Sequence, residues 1–262
     1  MGEALALFVE EAQGLYAGFV SAPVFSIGGW NVSQYVVYMF IAFIVCLVVV
    51  LLAAKRLELV PHKTFPAMVE FGYNFVSEGI GNDVIGHGYK KHVPFLATLF
   101  FFILIANGIG LIPGAKAAMG SISLTWALAA ISFVYFNFYG IKTQGLLGYL
   151  KSFAPAGIPI IMVPIIWFLE FVSMLIRVLT LAVRLYGNML AGHMILAVFS
   201  LGITVFLQTA FFTGSFVAGL PAVAWFLLLL FMYALECLVA FLQAYVFTIL
   251  SSSYVGMAIN PH

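Results

Sequence analysis

Residues 155–200 read PAGIPIIMVPIIWFLEFVSMLIRVLTLAVRLYGNMLAGHMILAVFS and carry three charges, Glu170, Arg177 and Arg184. Residues 204–251 read TVFLQTAFFTGSFVAGLPAVAWFLLLLFMYALECLVAFLQAYVFTILS and carry one, Glu236. As helix, the first stretch would measure about 69 Å at 1.5 Å per residue. The hydrocarbon core of a bilayer is about 30 Å thick. Each stretch is therefore either two spans or one long, broken or steeply tilted helix. Neither has a polar turn at its middle where the chain could leave the membrane. The reading favours two long tilted helices that form a hairpin near 202–221. Pro159 and Pro164 are expected to kink the first helix, and Gly187 and Gly192 to bend it. Tilt this steep implies a partner surface besides lipid.

Composition places the rest of the chain in the same solvent. Of 262 residues, 7% are charged and 65% hydrophobic, where a soluble domain carries about 25% charge. Mean hydropathy is +1.17. There is too little polar side-chain area to cover a water-soluble fold, which excludes a soluble enzyme and a disordered chain. A net charge of +1 gives no basic field for phosphate, so no nucleic-acid partner is expected. The lipid bilayer is the expected surrounding. Cys46 and Cys237 stand in apolar runs without CxxC spacing and read as small buried hydrophobes. Met1 to Gly14 holds Glu3, Glu10 and Glu11 and no Lys or Arg, so no cleavable signal is expected.

Outward from the hairpin, a first span is expected at 35–54, stopped by Lys55-Arg56. Residues 57–92 form a mixed surface segment, in which 65–79 repeat apolar residues at helical spacing and read as an amphipathic helix on the membrane surface. Residues 93–141 hold two spans, at 93–112 and 122–141, and the tilted hairpin covers 155–251. The expected fold is an all-α polytopic membrane protein, one membrane domain over 1–262. It has about five embedded helices and one surface helix. Lys55, Arg56, Lys63, Lys90 and Lys91 lie between the first two spans, and Lys142 and Lys151 follow the third. Only Lys116 lies in the intervening loop. The positive-inside rule puts those basic segments on the inner side and the acidic N-terminus outside.

Ionisable groups inside a span are costly and mark function by default. Residues 170, 177 and 184 are seven apart, nearly two helical turns, and so share one face. Asn188 lies one turn past Arg184 on nearly that face, and His193 points the opposite way. On the return helix Glu236 and Gln243 are again seven apart. Depth then sorts the groups: His193 and Glu236 toward the outer side, Gln243 level with Arg184, and Glu170 toward the inner side. A guanidinium does not give up its proton, so Arg184 cannot relay one. It can bar proton leakage between two titratable patches while attracting a carboxylate on a partner, which is the logic of two offset half-channels.

The stretch Arg184-Leu-Tyr-Gly-Asn-Met-Leu-Ala-Gly-His193 resembles the signature of subunit a of the F-type ATP synthase. Residues 98–113, TLFFFILIANGIGLIP, resemble a span of that family, and 238–250, LVAFLQAYVFTIL, its last helix. Pro61 followed by Glu70 resembles its surface segment. The resemblance covers about Lys55 to the C-terminus. It implies that Arg184 faces the ring of c subunits. It also implies that Asn188, His193, Glu236 and Gln243 belong to the uptake half-channel, and that Glu170 is the acid of the release side. Some members carry an acid where this chain has His193 and a His where it has Glu236, so the pair stands here in exchanged order. Gly110 stands where some members have an acid. The implied partners are the c-subunit ring and b-type peripheral stalk subunits.

The resemblance implies a non-catalytic, proton-translocating stator subunit in the bacterial inner (plasma) membrane, or alternatively in the mitochondrial inner membrane. No Walker-type phosphate loop occurs in the chain, and no cofactor is expected. A stand-alone ion transporter, or a membrane subunit of another energy-transducing complex, is the alternative. An intramembrane hydrolase or redox subunit is disfavoured because HExxH is absent and no His pair sits on spans as haem ligands would require. Asn107 reads as helix–helix glue.

Overall fold

In hydrocarbon a backbone must satisfy its own hydrogen bonds, and a helix does so within one segment. The computed structural model describes residues 23–27, 30–55, 64–112, 114–153, 161–214 and 216–259. Five of its helices are long and apolar enough to cross a membrane. The chain is an all-α polytopic membrane protein. A short antiparallel hairpin, Pro23–Ile27 with Trp30–Ser33, precedes the first span. The sequence reading does not foresee it. Arg56, Pro61, Lys63, Pro155, Pro159 and the N-terminal acids fall outside the described residues.

Helix α1 spans Gln34–Ala54 and buries only the small residues Ala42, Cys46 and Ala53. Small side chains let two helices approach where no hydrophobic force drives them together. The large ones, such as Phe40, Phe43 and Ile44, stay exposed. Helix α2, Thr64–Val76, falls within the segment expected to form a surface helix. It widens into a π-helical stretch at Ser77–Asn82 and ends in a single turn at Asp83–Ile85. The stretch is pinned rather than loose. Ile80 is fully buried, and its carbonyl accepts a hydrogen bond from Ser252 Oγ at 3.5 Å.

Helix α3 runs over Val93–Gly110 and α4 over Ile122–Gln144. His92, just ahead of α3, ties the two together. Its Nδ1 lies 3.0 Å from the Tyr135 hydroxyl, and Phe95 stacks on the same tyrosine with ring centroids 3.7 Å apart. Burial, aided by the neighbouring Lys91 charge, lowers the basicity of this imidazole. A short helix α5, Leu146–Ser152, follows. The Tyr149 hydroxyl donates to Asn137 Oδ1 at 2.9 Å, and the Trp167 indole donates to the Leu150 carbonyl at 3.0 Å.

Helices α6, Val163–Thr213, and α7, Phe216–Ile259, form the long hairpin. Pro164 does not kink α6. It sits in the first turn, where its missing N–H would have had no partner in any case. The reversal falls inside the expected 202–221 window, at Gly214, whose φ of +61° suits a residue without Cβ. Farther along, Trp225 lies between Phe199 and Phe206, with centroids 5.5 and 6.4 Å away. It covers Gly202, where an added Cβ would strike the indole. The core gathers where α3 meets the hairpin: Leu96, Phe100 and Ile103 pack with Ala182 and Leu185 of α6 and Ala244 and Phe247 of α7.

Candidate functional site

The α6–α7 contact supplies the geometry. Leu181, Ala182, Leu185 and Met189 of α6 turn inward and are buried. That choice of face leaves Val183 and Arg184 exposed. Arg184 makes no hydrogen bond or ion pair with any described residue. One turn away on the same face lie Thr180 and Asn188, both exposed, with Val183 beside them. An unpaired guanidinium within a membrane-spanning helix is costly, and an anion from outside the chain would offset that cost.

One turn farther along α6, Asn188 Nδ2 donates to Gln243 Oε1 at 2.7 Å. Gln243 is thus level with the Arg184 region, as the depth argument requires. The Gln243 side chain is buried, but its Nε2 has no partner among the described residues. Asn107 of α3 is also buried. Its Nδ2 reaches the Ala240 carbonyl at 3.4 Å, while its Oδ1 is left over. This accords with a helix-joining role and adds an unmet acceptor beside α7.

His193 points away from Arg184. Its Nε2 lies 2.9 Å from the Gly110 carbonyl, and its Nδ1 has no partner among the described residues. Gly110 is held tightly: an added Cβ would come 2.6 Å from Ala117 Cβ and 2.8 Å from Met189 Cε. No acid side chain fits at this position, and the α3 backbone itself meets the imidazole. A cavity of about 210 Å³ opens beside His193, lined also by Tyr35, Lys116 and Met189.

Glu236 is buried on α7. Its carboxylate lies directly over Gly192, where a Cβ would overlap it. His193 and Glu236 are therefore close along the hairpin but do not bond to each other; the histidine takes the Gly110 carbonyl instead. Sequence reading treated Gly192 as a bend, whereas its lack of a side chain makes room for the acid. A glycine next to a buried ionisable residue was the signal that could have revealed it.

At the basic end Arg177 Nη2 meets Glu170 Oε1 at 3.2 Å, with side chains 34% and 41% exposed. The seven-residue spacing put these two on one face, and the pair forms there. The structure thus groups the candidates in three levels. His193 and Glu236 lie at one level, Asn188 and Gln243 with Arg184 at the next, and Glu170 with Arg177 at the last. Among the described residues, no group of three His, Cys, Asp or Glu side chains is arranged to hold a metal.

Comparison with known proteins identifies relatives of this arrangement. The family described as ATP synthase A chain matches residues 36–256. ATP synthase subunit a of Chloroherpeton thalassium is 35% identical over 251 residues, covering 92% of this chain and 71% of that protein. The Pelagibacter ubique protein of the same name is 38% identical over 228 residues, 86% of each chain. That of Brucella canis is 42% identical over 192 residues, 73% of this chain and 74% of its own length.

Proposed function

This chain belongs to the ATP synthase A chain family, and we propose that it is the proton-translocating stator subunit of a rotary F-type ATP synthase, with Arg184 separating two offset half-channels. The observation that carries this reading is the exposed Arg184 guanidinium, which pairs with no described residue although it sits within a helix long and apolar enough to cross a membrane. The anion that answers it is a carboxylate on a ring of c subunits.

On this reading a proton enters from the outer side through the space beside His193 and Glu236. Among the described residues, buried polar atoms of His193, Gln243 and Asn107 lack partners. Buried polar atoms without protein partners are ordinarily met by water, which supports a hydrated path leading inward to Asn188 and Gln243. The ring carboxylate takes up the proton there, and the neutral acid then enters lipid at far lower cost than the anion. After rotation it releases the proton toward Glu170. Arg184 holds the deprotonated carboxylate between the two paths and, never giving up its own proton, blocks direct flow.

The subunit carries no catalytic step of its own, and b-type stalk subunits hold it against rotation. The bacterial relatives favour the plasma membrane as its site. The test is Arg184→Ala in the assembled complex, reading ATP-driven proton pumping in inverted vesicles. The expected result is loss of pumping with assembly intact; undiminished pumping would overturn the reading.

A further inference from the structure

A groove between α1, α2 and α3 lies apart from the proton-handling residues. Phe43, Leu47 and Val50 of α1, Tyr73 of α2, and Ala97 and Phe101 of α3 line a cavity of about 370 Å³. Its volume falls in the range of small-ligand sites, roughly 300–1,000 Å³. The lining is almost all carbon. The Thr98 hydroxyl on its wall spends its hydrogen bond on the Pro94 carbonyl at 2.7 Å. Nothing there solicits water, and a cleft of this kind takes up apolar matter. Its α1 and α3 walls are membrane-crossing segments, and its α2 wall is the helix expected at the surface.

The charge at its rim says more. Val50 is five residues from Lys55, about 7.5 Å along a helix, and Pro94 is three residues from Lys91. Lys55, Lys90 and Lys91 are all exposed. The neighbouring acid on α2 is Glu70, adjacent to the lining residue Val69. Glu78, farther along, accepts a hydrogen bond from Tyr89. Glu78 keeps its charge in that bond, and three cations against two acids still leave positive charge that suits a phosphate. Because α1 buries only small residues against the bundle, an occupant here would complete its packing.

We propose that this groove binds an anionic phospholipid of the leaflet at the basic end, one acyl chain in the cavity and the headgroup phosphate between Lys55 and Lys90–Lys91. The test uses the assembled complex in phosphatidylcholine vesicles doped with photoreactive phosphatidylglycerol or, in parallel, photoreactive phosphatidylcholine. The expected result is preferential labelling of α1 and α3 by the anionic probe. Val50→Trp fills the cavity from a position already 42% exposed, so the fold tolerates it, and labelling falls about tenfold. Lys90→Gln and Lys91→Gln each lower anionic labelling about fivefold and leave phosphatidylcholine labelling unchanged. Equal labelling by both probes, or indifference to the lysine changes, would overturn the proposal. So would a photoreactive residue at Leu47 that cross-links to a second polypeptide instead of lipid.

Discussion

At the scale of single residues, the account turns on polar groups that the chain does not satisfy by itself. Asn188 and Gln243 satisfy each other in part, through the 2.7 Å bond between the two helices. Asn188→Ala would leave the buried Gln243 amide with neither end paired, costing about 1–3 kcal/mol of stability. Thermal unfolding of the detergent-solubilised protein should show this loss. The double change Asn188→Ala with Gln243→Leu should cost less than the sum of the two single changes, because both remove one interaction. Additive losses would mean that the bond contributes little. The positions of these side chains were legible in the sequence because four- and seven-residue spacings fix a face without any knowledge of the partner helix. The contacts of His193 and Glu236 were not legible. They depend on glycines, Gly110 and Gly192, whose importance lies in the space they leave rather than in any group they carry.

At the scale of elements, hydropathy located the five spans, because the bilayer enforces length and apolarity on each of them, and helical spacing located α2. It did not foresee the π-helical stretch at Ser77–Asn82, whose cause is tertiary, in the docking of Ile80 against α7. Nor did it place α5, a seven-residue helix too short to show a period. Pro164 was read as a kink because a proline within an apolar run ordinarily breaks a helix; the helix instead begins there.

His92, just ahead of α3, is buried between α3 and α4. Its lowered basicity has a consequence for pH. The unfolded chain, with an imidazole near the ordinary 6.5, binds a proton before the folded one does. Stability is therefore full above that value and declines as pH falls below it toward the lowered folded value. Thermal midpoints between pH 7.5 and pH 5 should fall, and should fall less in His92→Gln. An equal decline in both proteins would show that other groups govern it.

At the scale of the whole molecule, family membership places the chain in a complex with other subunits, and on the proposed function the Arg184 face is completed by one of them. An autonomous transporter would enclose its own path around a central site. The purified chain alone in liposomes should therefore sustain no coupled proton flux, and flux should appear on co-reconstitution with the c ring and stalk. Sustained flux from the chain alone would favour the transporter reading.

Most direct of all is a density map of the assembled complex at a resolution that shows side chains. The account predicts the Arg184 guanidinium turned to the rotor, within about 4 Å of a ring carboxylate or bridged to it by one water. A guanidinium folded back onto its own chain, with no ring acid in reach in any rotational state, would contradict it.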